Sequence, residues 1–187
     1  MRNWVPVSSS AKGRRALRAL EQFGQRGFEP VNVVELAAAA GVTTGSLYHH
    51  FGSKIGLYGF VRSEAEQRLL DRMEGAAAAS AVDGSSGAVR SALLVGFDFA
   101  VRQGFVRLLG EPHPARNVDP VAEFLSKVTD QGRTPIGAML AAAWRAALLA
   151  VAEGTPHARA RAGLAALRLD EARPAPPGPP GPPRRRT

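Results

Sequence analysis

Leu36-Ala37-Ala38-Ala39-Ala40-Gly41-Val42-Thr43-Thr44-Gly45-Ser46-Leu47-Tyr48-His49-His50-Phe51 is the stretch on which the fold turns. A helix-turn-helix needs two helices crossing steeply over a turn of three or four residues. Each part here has a residue suited to it. Ala37 is small, so a second helix can approach the first closely. Gly41 can take the positive φ of the turn without strain. Val42 and Leu47 are apolar and can pack between the helices, and Thr43 can cap the second one. Asn32, with Glu35 three residues later, is close to a capping box for the first helix. Gly52-Ser53 breaks the second helix after Phe51.

Outward from this motif the pattern stays helical. Leu17, Leu20 and Phe23 recur every three residues and predict a helix over 11–26, capped from Ser8-Ser9-Ser10 and ended by Gly27. Ser53 opens a further helix from Lys54 to about Glu74. Gly75 to Gly87 is alanine, serine and glycine apart from Val82 and Asp83, which reads as a fraying helix end, a loop and a boundary between two regions. Leu93, Leu94, Phe97, Val101, Phe105 and Leu108 form a helical stripe over 88–109, weakened and open to a kink at Gly96 and Gly104. Asp119-Pro120, Thr134-Pro135 and Thr155-Pro156 each set a capping side chain before a proline, predicting helices over about 120–130, 135–153 and 156–170. Few Val/Ile/Thr alternations occur, so no sheet is expected.

The fold class is therefore all-α. An N-terminal three-helix helix-turn-helix domain over 11–58 is joined by a linking helix to a larger C-terminal helical bundle over 59–172. Residues 1–10 read as a flexible lead. The tail 173–187, with its Pro-Pro-Gly units and terminal arginines, reads as a disordered, extended appendage.

Composition narrows the function. The 187 residues are 45% hydrophobic, enough for a core, and carry a net charge of +8, which favours polyanionic partners. No cysteine is present, so disulfides, thiolate nucleophiles and cysteine-held zinc are excluded, and a reducing, cytoplasmic setting fits. The best apolar run, Ile136 to Ala152, is nearly half alanine and is broken by Arg145, so no membrane span or membrane partner is expected. No Ser/His/Asp set, metal-ligand cluster or glycine-rich phosphate loop stands at a useful spacing, so the chain is not read as an enzyme and no cofactor is expected. His49 and His50 point about 100° apart on a helix and lack further ligands, so no metal is expected either.

The motif resembles the tetracycline-repressor (TetR) family of regulators. The matching residues are Gly27-Phe28, Val33, Leu36-Ala37, Ala40-Gly41-Val42, Gly45, Leu47-Tyr48, His50-Phe51 and Ser53-Lys54, within about residues 11–60. The Leu-Tyr-x-His-Phe-x-Ser-Lys run after Ala-Gly-Val is specific to that helix-turn-helix context. The start of a recognition helix points into the major groove, which makes Thr44, Gly45 and His49 candidate base-facing residues. The resemblance implies phosphate contacts from Tyr48, His50 and Lys54, joined by Asn32, Thr43 and Ser46. It also implies a homodimer on a near-palindromic operator of double-stranded DNA, and a repressor released by a small-molecule effector bound in the bundle. Phe97, Phe105, Phe124, Met139 and Trp144 either line that effector pocket or form plain core. Asp98 and Arg102, four apart, read as a surface ion pair or as a polar ligand contact. The alanine-rich faces of the last two helices, with Trp144 and Leu148, are the candidate dimer surface.

Overall fold

A computed structural model describes residues 11–129 and 135–168. The expectations for residues 1–10, for the Thr134 cap and for the tail 173–187 lie outside them. Every regular element among the described residues is helical.

The chain starts with α1 (Ala11–Arg26), α2 (Val33–Ala39) and α3 (Thr44–Phe51). Leu20 and Phe23 of α1, Leu36 and Ala37 of α2 and Leu47 of α3 are all buried, so the three helices share one small core. Asn32 caps α2, its Oδ1 accepting from Val34 N at 2.8 Å. Glu35 does not complete the capping box but reaches Arg26 at 3.1 Å. Both of those side chains are exposed, so the pair contributes little.

The turn after α2 is a Schellman motif. Gly41 N donates to Ala38 O and Val42 N to Ala37 O, both at 3.0 Å. Gly41 sits at φ +66°. Only a residue without Cβ takes that conformation cheaply.

A long helix, α4 (Lys54–Ala79), leaves this domain, capped by Ser53 Oγ accepting from Gly56 N at 3.1 Å. It runs past Gly75, where an end was expected. Ala76 to Ala79 are strong helix formers, and Ala77 is buried, which together offset the glycine. The expected loop at 75–87 shrinks to Ser80 and one 3₁₀ turn, Ala81–Asp83, before α5 (Gly84–Arg102).

Helix α5 packs along α4, and Gly96 is what lets it. A Cβ there would lie 2.8 Å from Met73 Cγ and 3.2 Å from Leu69 Cδ1. Gly96 therefore serves a close approach within a continuous helix. Gly104, at φ +71°, ends the helix instead of bending it, so buried Phe105 and Leu108 of the apolar stripe fall beyond α5. Its N–H and that of Phe105 close the end of α5 on Val101 O and Ala100 O, and α6 (Val106–Gly110) follows.

The bundle is completed by α7 (Pro120–Thr129), α8 (Ile136–Ala152) and α9 (His157–Ala165). Asp119 caps α7 as expected, Oδ1 accepting from Val121 N at 3.0 Å and Ala122 N at 3.3 Å. The other prolines sit one place earlier than expected. Pro135 and Pro156 are themselves the cap residues of α8 and α9, and neither helix has a side-chain cap. Thr155 is already engaged, its N–H closing α8 on Ala150 O at 2.9 Å. Trp144 is fully buried at the centre, with Nε1 donating to Leu93 O of α5 at 3.2 Å.

Candidate nucleic-acid interface

Helix α3 is held by its inner side and open on its outer one. Leu47 is 1% exposed and sets α3 into the shared core. Thr43 caps it, Oγ1 accepting from Ser46 N at 3.2 Å. Thr44, Gly45, Tyr48 and His49 share one helical face. Gly45, Tyr48 and His49 are exposed on it and Thr44 is half-buried. Ser46 and His50 flank it, half-buried and exposed. Asn32 and Thr43, exposed at the starts of α2 and α3, mark two helix N-termini and cap the N–H groups of Val34 and Ser46 there. A Cβ on Gly45 would meet nothing nearer than Thr43 Oγ1 at 4.0 Å. The protein's own packing thus does not require glycine there.

Lys54 is more than a solvated cation. Its Nζ donates to Glu29 O at 3.0 Å and lies 4.4 Å from the Phe28 ring centroid. It fastens the start of α4 to the corner between α1 and α2, with its charge over an aromatic face.

The junction between this head and the bundle is built, apart from Phe28, from residues that the sequence motif does not include. Tyr58 of α4 meets Phe23 and Phe28 edge-on, each with centroids 5.0 Å apart. Glu111 accepts from Phe28 N at 3.1 Å. Arg62, 1% exposed, donates to Tyr58 Oη and Glu111 O at 2.8 Å each and to Glu66 Oε1 at 2.9 Å. Glu66, 3% exposed, also holds Arg116 of the 111–119 segment through Oε2. Burial pushes the Tyr58 hydroxyl above its usual range against the pull of Arg62. The available signal was Tyr58, Arg62 and Glu66 at i, i+4, i+8, a polar ladder beside apolar Val61, Ala65 and Leu69.

The five candidate pocket residues have different surroundings. Phe97 and Trp144 are wholly buried, Phe105 nearly so and Phe124 half so, while Met139 is 66% exposed on α8. Phe97 stacks on His157 at 5.4 Å, and Phe105 meets Phe99 edge-on at 6.2 Å. A cleft of about 220 Å³ is lined by none of the five. It opens between α4, the 110–120 segment and α8, with Arg62, Glu66, His113, Arg116, Asp119 and Arg145 in its walls. Burial and the nearby Arg116 and Arg62 lower the His113 imidazole below its usual range. Asp98 was expected to face Arg102. It instead accepts from Arg161 Nε at 3.0 Å on both oxygens and meets His157 Nε2 at 3.0 Å, tying α5 to α9.

Among the described residues no group of three or more His, Asp or Glu is placed to hold a metal ion, and no helix is long and apolar enough to cross a membrane.

An open second helix on a tight turn, mounted on a helical bundle, is the arrangement by which helix-turn-helix proteins present a helix to DNA. Comparison with known proteins shows what the chain is similar to. Residues 18–59 match the bacterial regulatory proteins of the tetR family. The fold is similar to the crystal structure of the TetR-family transcriptional regulator PfmR from Thermus thermophilus, at 21% identity and a TM-score of 0.51, over 84% of this chain and 93% of that one. It is similar also to a TetR-family transcriptional regulator from a Rhodococcus species, at 20% identity and a TM-score of 0.50, over 81% of this chain and 94% of that one. The N-terminal helix-turn-helix segment thus matches the tetR family model, and the fold as a whole is similar to that of two TetR-family regulators.

Proposed function

We propose that this regulator works in the cytoplasm as a homodimeric repressor, released from its operator by a small molecule. The observation that carries the DNA contact is the open face of α3, with Thr44, Gly45 and His49 set for base edges and no internal demand for glycine at 45. Tyr48, His50 and Ser46 at its margin, Asn32 and Thr43 at the helix starts, and Lys54 beside them are assigned to phosphates. Lys54 does so while holding Glu29 O.

The head is assigned to residues 11–58 and the effector-binding and dimerising part to 59–172. Two heads on a two-fold axis, about one DNA turn apart, select a near-palindromic site. Effector binding shifts the population towards dimers whose heads are wrongly spaced.

Anisotropy titrations on duplexes selected from a random pool test the reading. Affinity should fall steeply with salt, by a logarithmic slope of several units. Tyr48→Ala should weaken binding on every selected sequence, whereas Thr44→Ala should weaken it and relax the preference at one position in each half-site. Salt-insensitive binding, or two silent variants, would remove the assignment.

A further inference from the structure

We propose that the cleft beside α4 receives a small molecule with one carboxylate on a compact apolar body, and that this acid takes Arg116 away from Glu66. The inference rests on the reading of the bundle as the effector-receiving part.

The first ground is charge. Arg62, Arg116 and Arg145 line the cleft against Glu66 and Asp119, so three guanidinium groups face two carboxylates. Arg145 is committed to Asp119, at 3.0 and 2.6 Å, and to Leu109 O. Arg62 is committed to Glu66, Tyr58 and Glu111. Arg116 is the third, and it shares Glu66 with Arg62. One added carboxylate gives each arginine its own partner. A dianionic phosphate would overshoot and face two fixed carboxylates.

The second ground is an unused donor. Arg116 Nε is buried with no hydrogen-bond partner among the described residues. An arginine binds a carboxylate best through a pair of parallel N–H donors. Glu66 serves Nη2 alone, because its other oxygen belongs to Arg62. A buried donor left unmet is a standing penalty, and an acid that engages both Nε and Nη2 removes it.

The third ground is space. A volume of about 220 Å³ equals roughly seven waters at about 30 Å³ each. Pro112 and Val118 give the cleft apolar walls. Arg116 stands in the segment between α6 and α7, outside any helix, and its side chain is 31% exposed. It is therefore better placed to turn than buried Arg62. Its pairing with Glu66 clamps that segment to α4, the helix that starts beside α3. An acid that replaces Glu66 releases the clamp.

Calorimetry on the full chain, without DNA, tests the site with benzoate, phenylacetate and isovalerate. Benzamide serves as the uncharged match and inorganic phosphate as the dianion. At least one acid should bind with a dissociation constant of about 1 mM or tighter, and benzamide at least about tenfold more weakly than benzoate. Arg116→Gln should weaken the acid at least about tenfold. Val118→Trp, at a 55% exposed position, should block it while keeping all three arginines. The proposal is overturned if no acid binds, if benzamide matches benzoate, if phosphate is preferred to every acid, or if both variants bind as the parent does. Because no DNA is present, these outcomes bear on the cleft alone. Salt-insensitive duplex binding would bear on the regulator reading alone.

Discussion

Replacing Gly45 by alanine should make the protein more stable and a poorer DNA binder. Gly45 is the second residue of α3, is exposed, and is absent from the glycines at positive φ. The added Cβ meets nothing closer than Thr43 Oγ1 at 4.0 Å, an ordinary contact. The folded state is therefore not strained, while the unfolded chain loses glycine's freedom. A glycine within a helix is worse than alanine by roughly 0.5–1 kcal/mol, so a gain of about 0.5 kcal/mol is expected in the first turn. For a chain of this size that raises Tm by about 1–2 °C. On the proposed base-facing reading of α3, the same methyl would occupy space that the backbone needs to approach the bases. Loss of one base contact is worth about 1–3 kcal/mol, so affinity should fall at least about fivefold. Gly41→Ala is the control four residues away. Its Cβ also meets nothing within 4 Å, yet φ is +66°. It should destabilise by about 1–2 kcal/mol through backbone strain alone. Thermal unfolding and anisotropy on one selected duplex separate the two. A Gly45→Ala protein that melts lower, or binds as tightly as the parent, would refute the reasoning.

Other positions respond in calculable ways. Glu66→Ala leaves Arg62 charged at 1% exposure without its carboxylate, and urea titration should show a loss of about 3–5 kcal/mol. At Asp119, burial raises the carboxyl, but hydrogen bonds from Arg145, its charge and the N–H groups of Ala122 and Val121 bring it below its usual range. A folded pKa below the unfolded one means that this stabilisation is complete above about pH 4 and is lost as pH falls through the folded value. Asp119→Asn should therefore flatten the fall in the urea midpoint below about pH 4. Gly96→Val should cost about 1–3 kcal/mol by pressing on Met73 and Leu69, with Tm lowered accordingly.

What could be read in the sequence was local. Gly41, Thr43 and Ser53 act on backbone groups within a few residues, so their types announce the turn and two helix starts. Gly75 misled because its cost is small against the burial of Ala77 two residues later. Gly96 and Gly104 look alike in sequence. One is explained by a side chain on another helix and the other by its own backbone angle. Pairings across the bundle were out of reach. Asp98 chose Arg161, 63 residues away, over Arg102, and Glu66 and Arg116 are 50 apart. The exposed face of α3 was legible because helical period alone arranges it. The charged cleft was not, because three separate segments supply its walls.

Helix α4 gives the head a long arm. Its 26 residues span about 39 Å at 1.5 Å per residue. A tilt of about 5° at one end sweeps the other through about 3.4 Å, one base-pair step of a duplex. In the proposed dimer, half-site register would then depend on angular tolerance far from the bases, and substitutions under the arm would retune operator spacing without altering any residue assigned to DNA.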